Sequence, residues 1–282
     1  MNLKNILPKG GPAIDEVDKY IAKYNDDFIV IKCGGSVLLD EILFNQLIED
    51  ISILNKLGLK IIVVHGGGKN IKKKLDSAKI ISNFINGLRI TDKKTIKLVE
   101  EALNELNAEI IKRLKDKNCE GVSFSATCNN FINVNSISKE LGYVGNPTKL
   151  NISVILKEVK SKKVPVIAPM GLDKNNDLFN INADSAAGAV AKEIKSRRLL
   201  LMTDVPGILD KEKKLIPEIY SKNAEKMIQD QTISGGMIPK INTCLDAVNN
   251  GVTGVVIVDG RKPHSILFEL FSDKGAGTLI RK

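Results

Sequence analysis

From residue 28 onward, short apolar runs alternate with amphipathic stretches. The runs at 28–32, 60–64, 164–168, 198–202 and 254–258 are rich in Val, Ile and Leu with few polar positions, which predicts buried strands. Between them, stretches near 40–57, 92–117, 184–196, 222–229 and 238–250 carry apolar residues at helical spacing. Strands alternating with helices predict βαβ units: an α/β fold with a largely parallel central sheet covered on both faces. Ligands of such folds bind at the carboxyl ends of the strands. Residues 119–160 read differently, with short runs such as "FINVNS" and "GYVGNPT" that predict a small hairpin-rich insertion. No internal repeat or low-complexity linker interrupts the chain.

Ahead of the first strand, "AIDEVDKYIAKY" sets Ile14, Val17, Ile21 and Tyr24 on one helical stripe. That stripe must be buried, either against its own domain or against another subunit, and the pattern leaves both open.

The net charge of +9 raises nucleic acid as a partner. The lysines, however, are interleaved with Asp, Glu and Asn along the predicted helix faces. Only 4% of residues are aromatic, a poor supply for base stacking, so no nucleic-acid role is expected. The four cysteines (Cys33, Cys119, Cys128, Cys244) have no CxxC spacing and the two histidines stand far apart. That argues against a structural zinc site and for reduced thiols in a cytosol-like compartment. No apolar stretch approaches the roughly 20 residues of a spanning helix, and no signal-peptide pattern opens the chain, so no membrane association is expected.

Two strands end in glycine: "FIVIKCGGSVL" (28–38) and "IIVVHGGGKNI" (61–71). Glycine after a strand lets backbone N–H groups approach an anion, helped by the positive end of the following helix. Neither GxxxxGK[ST] nor GxGxxG is present, and a tight turn alone needs one glycine rather than three, so the pair predicts a ligand site. Lys32 ends an apolar strand two residues before Gly34-Gly35, which places it at the ligand crevice rather than in the core. In "NINADSAAGAVA" (180–191), Asp184 or Ser185 is the expected N-cap, which leaves Asn180 and Asn182 without a capping role. "LLLMTDVPGILD" (199–210) reads as a strand and a turn, and "ISGGMIPKI" (233–241) puts two glycines before a helix that carries Pro and Lys240 in its first turn. A cation there opposes the macrodipole unless an anion is bound, which marks Lys240 as facing phosphate. Two lysines, glycine-lined helix starts and one aspartate suit phosphoryl transfer, which needs positive charge and N–H donors around the moving group. No His–Ser or Cys–His arrangement is evident, which fits an acceptor that is already ionised, such as a carboxylate with a pKa near ~4.

These segments in this order resemble the amino-acid kinase family: "VIKCGGS" (30–36), "VVHGGG" (63–68), "NGLRITD" (86–92), "NINAD" (180–184), "TDVPGIL" (203–209), "SGGMIPK" (234–240) and the closing "VDGRKPHSILFELFSDKGAGTLI" (258–280). "NGLRIT" with "SGGMIPK" separates this branch from the uridylate, aspartate and carbamate kinases. The resemblance implies the amino-acid kinase fold, a three-layer α/β/α sandwich. It would place an amino-acid lobe over 28–175 and a nucleotide lobe over 176–282, after an inter-subunit helical extension over 1–27. It implies ATP with Mg2+ as cofactors and transfer to the side-chain carboxylate of N-acetyl-L-glutamate, a step of arginine biosynthesis. By the same analogy Lys32 and Lys240 neutralise the transferred group and Asp184 holds them. Gly67, Gly68, Arg89, Asn180 and Asn182 bind the substrate. Gly34, Gly35, Asp204, Val205, Pro206, Gly207, Ile208, Leu209, Gly235 and Gly236 bind the nucleotide, and no protein-held metal is implied. The N-terminal helix and the closing segment resemble those of members inhibited by L-arginine, which form a hexamer as a trimer of dimers in the cytoplasm or plastid stroma. Two alternatives stand beside this: a sister kinase of a carrier-linked 2-aminoadipate or related acylated amino acid, and an inert arginine or nitrogen sensor.

Overall fold

All five predicted strands fall into a single eight-stranded sheet. In the computed structural model, which describes residues 7–24 and 26–282, β1 (Phe28–Cys33) lies at the middle. On one side follow β2 (Lys60–His65), β8 (Val164–Ile167) and β5 (Gly121–Phe124). On the other lie β11 (Arg198–Thr203), β13 (Val255–Asp259), β14 (Gly277–Arg281) and β12 (Glu218–Tyr220). The six strands from β5 to β13 are mutually parallel; β14 runs antiparallel to β13, and β12 follows β14. The chain is thus the expected α/β/α sandwich with a largely parallel sheet.

Successive side chains on a strand point to opposite faces, and here each face has its own core. Ile29 and Ile31 of β1, with Ile61 and Val63 of β2, pack under α2 (Glu41–Lys56), α4 (Lys93–Asp116) and α9 (Ser265–Phe271). Val30, Ile62 and Val64 pack under α5 (Ile152–Lys160), α6 (Ala183–Glu193) and α8 (Met237–Asn249). The alternation has a functional consequence. Lys32 shares parity with Val30 and so projects towards α6 and α8, whereas His65 shares parity with Val63 and so turns towards α4.

The helix α1 (Ile14–Tyr24) buries Val17, Tyr20 and Tyr24 in the first of these cores. Val17, Ile21 and Tyr24 of its stripe thus pack against their own chain, and Lys19 pairs with Asp273 just beyond α9 at 3.0 Å. Residues 1–6, Asn25 and the side chain of Ile14 lie outside the described residues.

Residues 119–160 depart from the expected insertion. Only β6 (Ile132–Ser136) and β7 (Gly145–Leu150) form the antiparallel pair; β5 joins the main sheet and 152–160 is helical. Ile152, Ile155 and Val159 lie on one helical stripe, and packing on the sheet overrides the β preference of their branched side chains. The small sheet takes its other strands, β9 (Met170–Leu172) and β10 (Leu178–Asn180), from later in the chain. The β9–β10 hairpin, whose strands pair from Leu172↔Leu178 to Met170↔Asn180, spans the expected lobe boundary at 175/176.

Candidate active site

The two glycine clusters meet at the carboxyl edge of β1 and β2. Parallel in-register pairing of these strands ends at Cys33↔His65, and the Gly66 N–H continues it by donating to the Cys33 carbonyl at 2.6 Å. Gly35 has φ +66°, and a Cβ there would lie 2.8 Å from an Asp204 carboxylate oxygen. Asp204, at the exit of β11, accepts from the Ser36 N–H at 3.1 Å and from its Oγ at 2.6 Å. Gly67 is packed as tightly on its other side, since a Cβ would meet Leu103 Cδ2 at 2.4 Å.

Lys32, Asp184 and Lys240 converge from β1, α6 and α8. Lys32 Nζ lies 3.0 Å from Asp184 Oδ1, and Lys240 Nζ donates to Asp184 Oδ2. Their side chains are 13%, 15% and 14% exposed, so the charges act through little intervening solvent. Burial pushes the Asp184 carboxyl up, but Lys32 and then Lys240 outweigh it and hold it at about 2. One carboxylate between two ammonium groups leaves a net positive charge, which attracts an anion while keeping the lysines from repelling each other.

The N-cap of α6 is Asn182, not Asp184 or Ser185. Its Oδ1 accepts from the Asp184 N–H at 2.9 Å and the Ser185 N–H at 3.1 Å. The correction has a physical reason: with the cap supplied two residues earlier, the Asp184 carboxylate is released to hold both lysines.

Two cavities flank this clamp. The smaller, about 210 Å³, is lined by Lys32, Gly34, Gly35, Gly67, Gly68, Arg89, Asn180 and Asn182. The larger, about 750 Å³, is lined by Asn182, Asp184, Gly235, Gly236 and Lys240 and lies within the range of small-molecule sites. Asn182 borders both. Arg89 is 7% exposed, stacks on Phe84 at 4.7 Å, and donates to Ser82 Oγ and to the Gly68 carbonyl at 3.1 Å. A guanidinium has five donors, so some remain for a carboxylate ligand.

Residues 204–209 line neither cavity. Asp204 braces the Gly35-Ser36 turn, and Val205, Pro206 and Leu209 are half-buried. Gly207 and Ile208 are buried against β14, where Thr278 Oγ accepts the Ile208 N–H at 2.9 Å and donates to the Ile216 carbonyl at 2.6 Å. Thr278 thus holds both ends of the 208–216 loop, a role with no local sequence signal. Phe84 and Leu88 were also missed, although "INGL" (85–88) carries the strongest short hairpin signal. The structure forms that hairpin between β3 (Phe84–Ile85) and β4 (Leu88–Arg89), over the smaller cavity.

Residues 27–259 match the amino acid kinase family. The acetylglutamate kinase of Pelagibacter ubique is 58% identical over 99% of this chain and 97% of its own. That of Clostridioides difficile is 42% identical, covering 93% and 94%. Among solved structures, the N-acetylglutamate synthase of Neisseria gonorrhoeae superposes with a TM-score of 0.86 at 22% identity. It covers 95% of this chain, which spans 62% of that longer one, and shares the fold alone.

Proposed function

The chain belongs to the amino acid kinase family, and on that premise we propose that it transfers the γ-phosphoryl group of ATP to the side-chain carboxylate of N-acetyl-L-glutamate. The product is N-acetyl-L-glutamyl 5-phosphate, an intermediate of arginine biosynthesis. The observation that carries this reading is the Lys32–Asp184–Lys240 clamp set between two cavities, one sized for a small acidic acceptor and one for a nucleotide.

In this reading a carboxylate oxygen of the acceptor attacks the γ-phosphorus, a new O–P bond forms, and the bond to the β-phosphate oxygen breaks. The attacking oxygen carries no proton, so no general base is required. Lys32 and Lys240 take up the charge that spreads over the transferring group, and Asp184 fixes their separation. Arg89 pairs with the α-carboxylate, Asn180 and Asn182 orient the acceptor, and the N–H groups at Gly67 and Gly68 close on it and on the phosphoryl group it receives. Gly34, Gly35, Gly235 and Gly236 line the phosphate path, with 204–209 framing it from the β11 side. Among the described residues no three His, Cys, Asp or Glu side chains converge as a metal site. Mg2+ would enter with ATP and supply charge neutralisation at its phosphates.

Regulation by L-arginine and assembly as a hexamer of three dimers belong to the same proposal. They rest on the resemblance of the N-terminal helix and the closing segment to those of arginine-inhibited members, two segments that the Lys19–Asp273 pair joins within one chain. The proposed biosynthetic role places the enzyme in the cytoplasm; no helix among the described residues is long and apolar enough to cross a membrane.

The test is ATP- and Mg2+-dependent acyl-phosphate formation from N-acetyl-L-glutamate, trapped as the hydroxamate. Turnover supports the reaction, and suppression by L-arginine supports the regulation. Absence of turnover overturns the reaction, and a dimeric mass in solution overturns the hexamer.

A further inference from the structure

His65 precedes the three glycines, is fully buried, and makes no contact with either cavity. Its hydrogen bonds admit a single arrangement. Nδ1 lies 3.2 Å from the Gly66 carbonyl oxygen, which can only accept, so Nδ1 carries the proton. Nε2 lies 3.2 Å from Asn107 Nδ2, which also donates to the Val166 carbonyl at 2.9 Å. The Val166 bond fixes the Asn107 amide with its nitrogen towards the ring, so Nε2 must accept. Both ends of the imidazole therefore specify the same tautomer, a point usually open for a histidine. Burial, only partly opposed by the Gly66 carbonyl, pulls its pKa down to about 4, so the ring is neutral in ordinary buffers.

The arrangement leaves Asn107 Oδ1 buried with no hydrogen-bond partner among the described residues. Native interiors rarely tolerate such an atom without compensation. Here both amide hydrogens are committed to holding the ring and the end of β8.

In a trans peptide the carbonyl and the next N–H point in opposite directions. A Gly66 carbonyl drawn to His65 on the α4 side therefore sends the Gly67 N–H towards the opposite side, where the smaller cavity and Lys32 lie. Among the described residues the Gly67 N–H has no protein acceptor. We propose that His65, held as its Nδ1–H tautomer by Asn107, is a positioning residue that aims the Gly67 N–H at the group being transferred. The role presupposes that the cleft is the phosphoryl-transfer site proposed above. His65 touches no substrate and moves no proton; it fixes one peptide plane in advance of the reaction, so that none of the barrier is spent on turning it.

Two measurements test this. With only two histidines in the chain, two-bond 1H–15N correlations report the His65 tautomer directly in the intact protein. Nδ1 protonated and Nε2 bare is expected; a proton on Nε2 overturns the proposal. Kinetics then compare His65→Asn, whose amide nitrogen can stand where Nδ1 stands, with His65→Leu, which has no donor. His65→Leu is expected to lower kcat by roughly 10- to 100-fold, below the full loss of a transition-state donor, with the KM for ATP little changed. His65→Asn is expected to restore most of kcat. Should His65→Leu not fold, Asn107→Leu frees the ring to change tautomer and is expected to lower kcat in the same way. Equal kcat in the variants and the parent, or a loss confined to thermal stability, overturns the positioning role. A parent enzyme without turnover overturns the functional reading instead.

Discussion

The exits of β1 and β2 are built from the same parts, an apolar strand and glycines leading into helix, yet they are anchored by opposite means. The β1 exit is held by a charge: Asp204, an exposed residue from the other half of the sheet, bonds Ser36 twice. The β2 exit is held by neutral groups, His65 and Asn107, both at 1% exposure or less. The charged anchor joins the exits of β11 and β1 at an exposed position, where water and salt reach it. The neutral anchor is buried and cannot exchange its partners without opening the core. A hydrogen bond in a wet seam contributes little but is adjustable, whereas the same bond in a dry interior specifies one geometry.

The sharpest way to break the comparison is to remove the clamp on which both exits converge. Lys32→Ala, Lys240→Ala and Asp184→Asn should each lower kcat by about 10³-fold or more, read by the hydroxamate assay, because each removes or misplaces charge at the moving phosphoryl group. The Asp184 carboxyl, held at about 2, stays ionised across the working range and contributes no acid limb to kcat above about pH 4.

The buried anchor should reveal itself in the pH dependence of stability. His65 has a folded pKa of about 4 against an ordinary 6.5. A depressed pKa means that the unfolded chain binds the proton more tightly. Its contribution is therefore complete above pH 6.5 and is lost as pH falls towards 4, by roughly 3 kcal/mol. Denaturant titrations of the parent and of His65→Asn should differ in slope within that window. An identical slope would place the ring in water-accessible surroundings.

Smaller effects separate the two loops. Gly67→Ala drives a methyl into Leu103 and should cost about 2 kcal/mol, recovered in part by Leu103→Ala in a double-mutant cycle. Thr278→Val removes both bonds that hold the 208–216 loop and should cost about 1–2 kcal/mol while raising the KM for ATP, with Thr278→Ser restoring both. Asp204→Asn, at the charged anchor, should cost about 1 kcal/mol or less, and the difference should shrink with added salt. A larger loss at Asp204 than at Gly67 would reverse the ranking of the two anchors.

Much of this site was legible from local pattern. Lys32 stood out because a charge ended a strand whose other residues are core, and Lys240 because a cation sat in the first turn of a helix. Asn182 was misread because capping and lysine binding both call for a short polar side chain, and spacing alone does not assign the two tasks. Residues 152–160 look like strand by composition and become helix because the sheet face offers a stripe to cover. Thr278 and Asp204 were beyond local reading: each bonds a partner at least 62 residues away.

Sequence by itself determined which segments are buried and with what period, and so the sandwich, the order of its layers and the strand ends at which glycine and lysine gather. These follow from interactions within a few residues, where side-chain direction is set by backbone geometry. Tertiary structure alone decided that Asp184 faces two lysines, that Asn182 caps, that β14 turns antiparallel to pin a loop, and that His65 has one possible tautomer. Each of these depends on which atoms arrive from distant strands and helices, and a buried polar group takes its role from the partner that reaches it.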